Sequence, residues 1–100
     1  MRRLDDPRGI RASFILNGGA QYAGGRAVFE AGAITLRFFG KVIKRIPYGG
    51  IVSAKLERIG TLDPVKRISL LTAEGRTYIG VSLCRRKEVL SFIREKRTET

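Results

Sequence analysis

Apolar and polar residues alternate along short stretches of this chain, and glycine interrupts the alternation until, near residue 85, the pattern changes to a helical period. The clearest alternation is Ala33-Ile34-Thr35-Leu36-Arg37-Phe38-Phe39, in which Ile34, Leu36 and Phe38 share one face and Thr35 and Arg37 the other. Gly40-Lys41 is expected to turn the chain into Val42-Ile43-Lys44-Arg45-Ile46, and Pro47-Tyr48-Gly49-Gly50 to break or re-aim it. A strand from Ile51 to Arg58 follows, with Val52, Ala54 and Leu56 on one face and Ser53, Lys55 and Glu57 on the other. Ile59 to Pro64 reads as a loop. The next strand runs from about Val65 to Thr72 with Ile68 and Leu70 inward, Glu74-Gly75 suits a tight turn, and Arg76 to Leu83 returns with Ile79, Val81 and Leu83 inward.

The N-terminal third is less regular. Residues 1–9 form a polar lead-in punctuated by Asp6-Pro7, and Arg11 to Leu16 is a first strand closed by Asn17-Gly18-Gly19. Gln21-Tyr22-Ala23 and Arg26-Ala27-Val28-Phe29 are either two short strands around Gly24-Gly25 or one long strand kinked by those glycines.

From about Arg85 to Arg97 the period is that of an amphipathic helix. Val89, Leu90, Phe92 and Ile93 make one stripe, while Arg85, Lys87, Ser91, Arg94 and Glu95 stay polar. Ser82 is a suitable N-cap, and Lys96 and Arg97 complement the dipole in the last turn. Short strands followed by one terminal helix predict a mainly β single domain over residues 10–98, a curled sheet whose open side the helix fills.

Charge changes the picture most. Twenty Lys plus Arg against nine Asp plus Glu give a formal net charge of +11, and fourteen of the twenty are Arg. Such a field attracts polyanions, and guanidinium suits bidentate contact with phosphate or carboxylate. Two basic clusters stand out. In Arg37, Phe39, Lys41, Lys44 and Arg45 an aromatic accompanies four cations, a combination that suits a lipid headgroup or an unstacked base. A turn at Gly40-Lys41 would set Arg37 beside Lys44, which is repulsive unless an anion lies between them. The plainer reading is that Phe39 tucks under a loop and the cations are simply hydrated. The second cluster, Arg85, Arg86 and Lys87, opens the helix, where each cation opposes the dipole by about 0.3–1 kcal/mol. A bound anion or plain hydration would offset that.

Catalytic chemistry finds little support. The chain has no His, its carboxylates are dispersed, and the single Cys84 excludes an internal disulfide. Cys84 is expected to be a partly buried structural residue, and no enzyme activity, metal site or cofactor is expected. No apolar run approaches the ~18 residues of a membrane span. Arg2 and Arg3 lack the apolar stretch of a secretory signal, so a cytoplasmic protein, at most peripheral to a membrane, is expected.

Three stretches resemble the pleckstrin-homology superfamily, in its GRAM-like and bacterial PH-like branch: Gly32-Ala33-Ile34-Thr35-Leu36-Arg37-Phe38, the junction Arg45-Ile46-Pro47-Tyr48-Gly49-Gly50-Ile51, and Ala73-Glu74-Gly75-Arg76-Thr77-Tyr78-Ile79 followed by the helix around Phe92. The resemblance implies a partly open barrel of two packed antiparallel sheets, about seven strands in all, capped by the helix. The family's phosphoinositide binders carry a lysine and paired basic residues around the first hairpin, where this chain has Asn17, Gly18, Gly19 and then only Arg26. The resemblance therefore implies a non-catalytic binding module whose partner is a protein or an anionic lipid surface. Nucleic acid is the alternative, although no RNP aromatic pattern or helix-turn-helix signal is present. Unpaired strand edges leave a homo-oligomer open.

Overall fold

Alternation and turn chemistry produce nine strands and one helix among the residues that the computed structural model describes, which are 4, 6–17, 19–59, 62 and 65–99. In chain order these are β1 (Ile10–Arg11), β2 (Ser13–Leu16), β3 (Gln21–Tyr22), β4 (Arg26–Phe29), β5 (Ala33–Phe38), β6 (Lys41–Pro47), β7 (Ile51–Arg58), β8 (Lys66–Thr72), β9 (Gly75–Gly80) and α1 (Arg86–Glu99). Short 3-10 turns occupy Tyr48–Gly50 and Leu83–Arg85. Gly18, the loop positions Gly60, Thr61, Asp63 and Pro64, and residues 1–3 and 5 of the lead-in lie outside the described residues.

The strands form two antiparallel sheets, a four-stranded one in the order β1-β4-β5-β6 and a five-stranded one in the order β3-β2-β9-β8-β7. β1 and β2 are successive halves of one segment that passes from one sheet to the other at Ala12, and β3 and β4 do the same across Ala23–Gly25. Counted as segments, the nine strands reduce to seven, and the two readings of the Gly24-Gly25 region merge into one bent segment. Gly25 permits the bend: a Cβ there would lie 2.6 Å from the Phe14 ring and 3.0 Å from the Arg37 carbonyl. Its carbonyl accepts the Ala12 N–H at 2.9 Å, so the two bends are bonded to each other.

Between the sheets lies one core, with Phe14, Ile34, Leu36, Ile46, Ile68, Leu70 and Ile79 fully enclosed. The sheets do not close into a barrel. Where β6 leads into β7, α1 packs against the Tyr48–Gly50 turn and against β7 and β8. Val89, Leu90 and Ile93 are buried there, and Phe92 meets Phe29 and Tyr48 edge-on at 5.7 and 6.2 Å. The buried Tyr48 hydroxyl donates to the Glu30 carbonyl at 2.9 Å. Burial, and then the Glu30 carboxylate, hold its phenol well above the usual tyrosine value.

The helix also closes a free strand edge. β7 is the last strand of its sheet, and its outward carbonyls take side-chain donors from α1: Arg94 Nε to Ala54 at 2.9 Å and Arg97 Nε to Ile51 at 2.7 Å. No helix among the described residues is long and apolar enough to cross a membrane.

Several local expectations are corrected. The pairing of β7 with β8 is irregular between Ile51 and Ser53, so Ile51 and Ala54 point inward while Val52 stays 57% exposed. The last strand stops at Gly80, and Leu83, expected inward, is exposed. Ser82 precedes a 3-10 turn rather than the α-helix, and its hydroxyl makes no cap bond. Cys84, expected to be partly buried, is exposed.

Candidate anion-binding face

The β5–β6 hairpin turns one residue earlier than its glycine suggests. Phe38 pairs with Lys41, which leaves Phe39-Gly40 as the two turn residues, and both have positive φ, 49° and 79°. This is the backbone of a type I′ hairpin turn, normally occupied by Asn-Gly or Gly-Gly. A bulky residue in that left-handed conformation costs roughly 1–2 kcal/mol. Phe39 packs edge-on against Phe38 at 4.4 Å and is otherwise 90% exposed.

A register shift between Leu36 and Arg37 then separates the expected cluster. Lys44 pairs with the core residue Leu36, lies on that side of the sheet, and binds Glu74 at 3.0 Å. Arg37 faces Val42, not Lys44, so the anticipated repulsive pair does not form. Lys41, opposite Phe38, is exposed. Arg45, opposite Thr35, shares the face of Arg37.

A different repulsive row takes its place. β1 pairs Arg11 with Arg26 on β4, and β4 pairs Arg26 with Arg37 on β5, so three arginines stand side by side across three strands. They point away from the core, because their neighbours Ile10, Ala27 and Leu36 point into it. Like charges directly opposite one another destabilise a sheet. Arg8 joins them from the lead-in. An Asp6-Pro7-Arg8-Gly9 turn, closed by the Gly9 N–H to Asp6 carbonyl bond at 2.8 Å, lies across β4. Gly9 has φ 76°, and a Cβ on it would approach the Ala27 carbonyl to 2.7 Å, so only glycine lets the turn sit this close.

These four arginines, with Phe39 and Pro7, line an open cleft of about 880 Å³. Two of the guanidinium groups are held by main-chain carbonyls. Arg26 donates from Nε to Arg8 at 2.7 Å and from Nη2 to Gly9 at 2.8 Å, and Arg37 donates from Nη2 to Gly40 at 2.9 Å. No carboxylate lines the cleft. Asp6 pairs with the exposed Arg8 at 3.6 Å, and Glu30, farther along the face, accepts a hydrogen bond from Thr35. A smaller hollow of about 510 Å³ adjoins it, sharing Arg11 and Gly24 and adding Ser13, Ser82 and Arg85.

The helix-start cluster is thereby divided. Arg85 reaches this second hollow while also binding Glu88 at 3.1 Å, Arg86 is half-buried, and Lys87 is exposed. Glu88 places a carboxylate in the first helical turn and offsets the cations against the dipole. Arg8, Arg11 and Arg26 were not among the residues singled out in the sequence. Cross-strand register brings Arg11 and Arg26 together, and the turn across β4 adds Arg8; no local pattern displays either. Among the described residues, no three His, Cys, Asp or Glu side chains come together as metal ligands would. No protein-family model, curated protein or solved structure matches this chain.

Proposed function

We propose that this chain is a non-catalytic binding module of pleckstrin-homology-like type, cytoplasmic, that docks on an anionic membrane surface. The observation that carries the reading is the tip of the β5–β6 hairpin. Phe39 is 90% and Val42 57% exposed, and Arg37, Lys41 and Arg45 flank them on the same hairpin. An apolar tip ringed by cations suits the membrane interface, where the aromatic enters the headgroup layer and each nearby cation adds about 1 kcal/mol of attraction to anionic lipid. Two packed antiparallel sheets, with a C-terminal helix across the gap between them, support the architecture that the family resemblance implies.

Co-sedimentation with phosphatidylcholine vesicles, with and without phosphatidylserine, tests the reading. Binding is expected only with the anionic lipid, to weaken with added salt, and to fall several-fold in Phe39→Asn. Equal binding to neutral vesicles, or an undiminished Phe39→Asn variant, overturns it. An exposed aromatic beside cations also suits stacking on single-stranded nucleic acid, so oligonucleotide binding without vesicle binding would favour that alternative. Binding to neither leaves a protein partner.

A further inference from the structure

We infer that Arg8, Arg11, Arg26 and Arg37 form a binding site for a ligand carrying two linked phosphate groups. The site deepens the membrane-docking reading, resting on the same sheet face, and it would serve a lipid headgroup or a soluble diphosphate by the same chemistry.

Charge comes first. The cleft gathers four guanidinium groups and no carboxylate, although nine acidic residues are present in the chain. Several described cations elsewhere have carboxylate partners: Lys44 has Glu74, Lys55 has Glu57 and Arg85 has Glu88. Arg94 and Arg97 serve the β7 edge. Arg11, in contrast, forms no side-chain hydrogen bond or ion pair with any described residue, and it stands opposite another arginine. An anion between the side chains turns this repulsion into attraction.

Preorganisation comes second. The carbonyls of Arg8 and Gly9 take the Arg26 Nε and one Nη2 hydrogen, leaving both Nη1 hydrogens and the second Nη2 hydrogen to donate. The Gly40 carbonyl holds Arg37 through one Nη2 hydrogen and leaves its Nε free. Side chains already fixed lose little rotamer freedom when a ligand arrives, and guanidinium presents its donors in the fork that matches phosphate oxygens.

Span decides between one phosphate and two. Neighbouring strands lie ~4.8 Å apart, so the row from Arg11 through Arg26 to Arg37 covers roughly 10 Å. One phosphate bridges one pair of adjacent arginines. Two linked phosphates bridge both pairs, with Arg26 shared between them and Arg8 closing over from the lead-in turn. A cleft of about 880 Å³ holds two such groups with their attached moiety.

Calorimetric titration with inorganic diphosphate and with orthophosphate, at physiological salt, tests the site in wild type, Arg11→Gln, Arg37→Gln and Lys87→Gln. Lys87 is an exposed helix cation, so its substitution removes the same charge away from the cleft. Diphosphate is expected to bind at least about tenfold more tightly than orthophosphate and to raise the melting temperature. Arg11→Gln is expected to weaken diphosphate about tenfold or more, to leave the ligand-free melting temperature unchanged or raised, and Lys87→Gln to change affinity less than about twofold. Arg37→Gln repeats the measurement should Arg11→Gln fail to fold.

Equal affinity for the two anions, or equal loss in the Arg11 and Lys87 variants, overturns the site. So does an oligonucleotide that binds more tightly than diphosphate and weakens equally in those two variants, which is the behaviour of nonspecific backbone contact. Vesicles containing a phosphoinositide bisphosphate, compared with phosphatidylserine vesicles, separate the sources. Diphosphate binding with no vesicle binding keeps the site and rejects the membrane reading. Phosphatidylserine binding with no diphosphate binding does the reverse.

Discussion

The outer faces of the two sheets handle positive charge in opposite ways. On the five-stranded sheet, Glu57 of β7 collects Lys55 at 3.0 Å, the Tyr78 hydroxyl at 3.2 Å and Arg76 at 4.0 Å. Arg76 also donates to the fully buried Ser69 hydroxyl at 2.6 Å. The hydrogen bond and charge of Lys55 hold the Glu57 carboxyl below the usual value, and loss of solvent and the Glu57 bond raise the Tyr78 phenol. On the four-stranded sheet, Arg11, Arg26 and Arg37 face one another with no carboxylate in the cleft they line. On one face the cations gather around a shared carboxylate, whereas on the other a row of three arginines stands side by side without one.

Charge reversal at Arg26 breaks this contrast most severely. Arg26→Glu removes the clamp on the Arg8 and Gly9 carbonyls and gives Arg11 and Arg37 an internal counter-ion. Binding of diphosphate or anionic vesicles is expected to fall about a hundredfold, as when one partner of a buried charge pair is lost. Calorimetry and co-sedimentation read the effect, with circular dichroism to check the fold.

Phe39→Asn comes next. Asparagine tolerates the left-handed conformation at the first turn position, so urea denaturation should show a gain of about 1 kcal/mol while vesicle affinity falls. Opposite signs in stability and binding identify a residue kept at a strained position for contact.

The smallest effect lies on the face that carries Glu57. Glu57→Gln should lower the melting temperature modestly at neutral pH, because Lys55 and Arg76 lose their shared carboxylate. A depressed folded-state pKa contributes stability above the ordinary value of 4.5 and loses it as pH falls through the folded value. The difference between wild type and variant should therefore vanish in acid. It should not alter diphosphate binding, and a change there would mean that the two faces are not independent.

Wherever a single segment carries its own period, the fold is legible in the sequence. The stripe Val89, Leu90 and Ile93 and the alternation Ile34, Leu36, Phe38 both point to the core side, and the terminal helix lies where an open sheet needs cover. Backbone choices that oppose propensity are not legible. A tight turn placed at Phe39-Gly40 rather than at Gly40-Lys41 reverses the face of Lys44, and the irregularity after Ile51 turns Val52 outward. The cleft is only half legible. Arg37 and Phe39 attract notice through their basic neighbours, whereas Arg11 and Arg26 lie in unremarkable local sequence and become a row only through strand pairing.

The bonds from Arg94 and Arg97 to the β7 carbonyls bear on how the protein is made as well as on how it stands. Vectorial synthesis delivers every strand before the helix, so a nascent chain carries an unshielded β7 edge beside an unfinished core. That edge is a template for a second copy until the arginines arrive. Variants that weaken helix docking should therefore be lost as insoluble protein during expression, even where the purified remainder folds and binds normally.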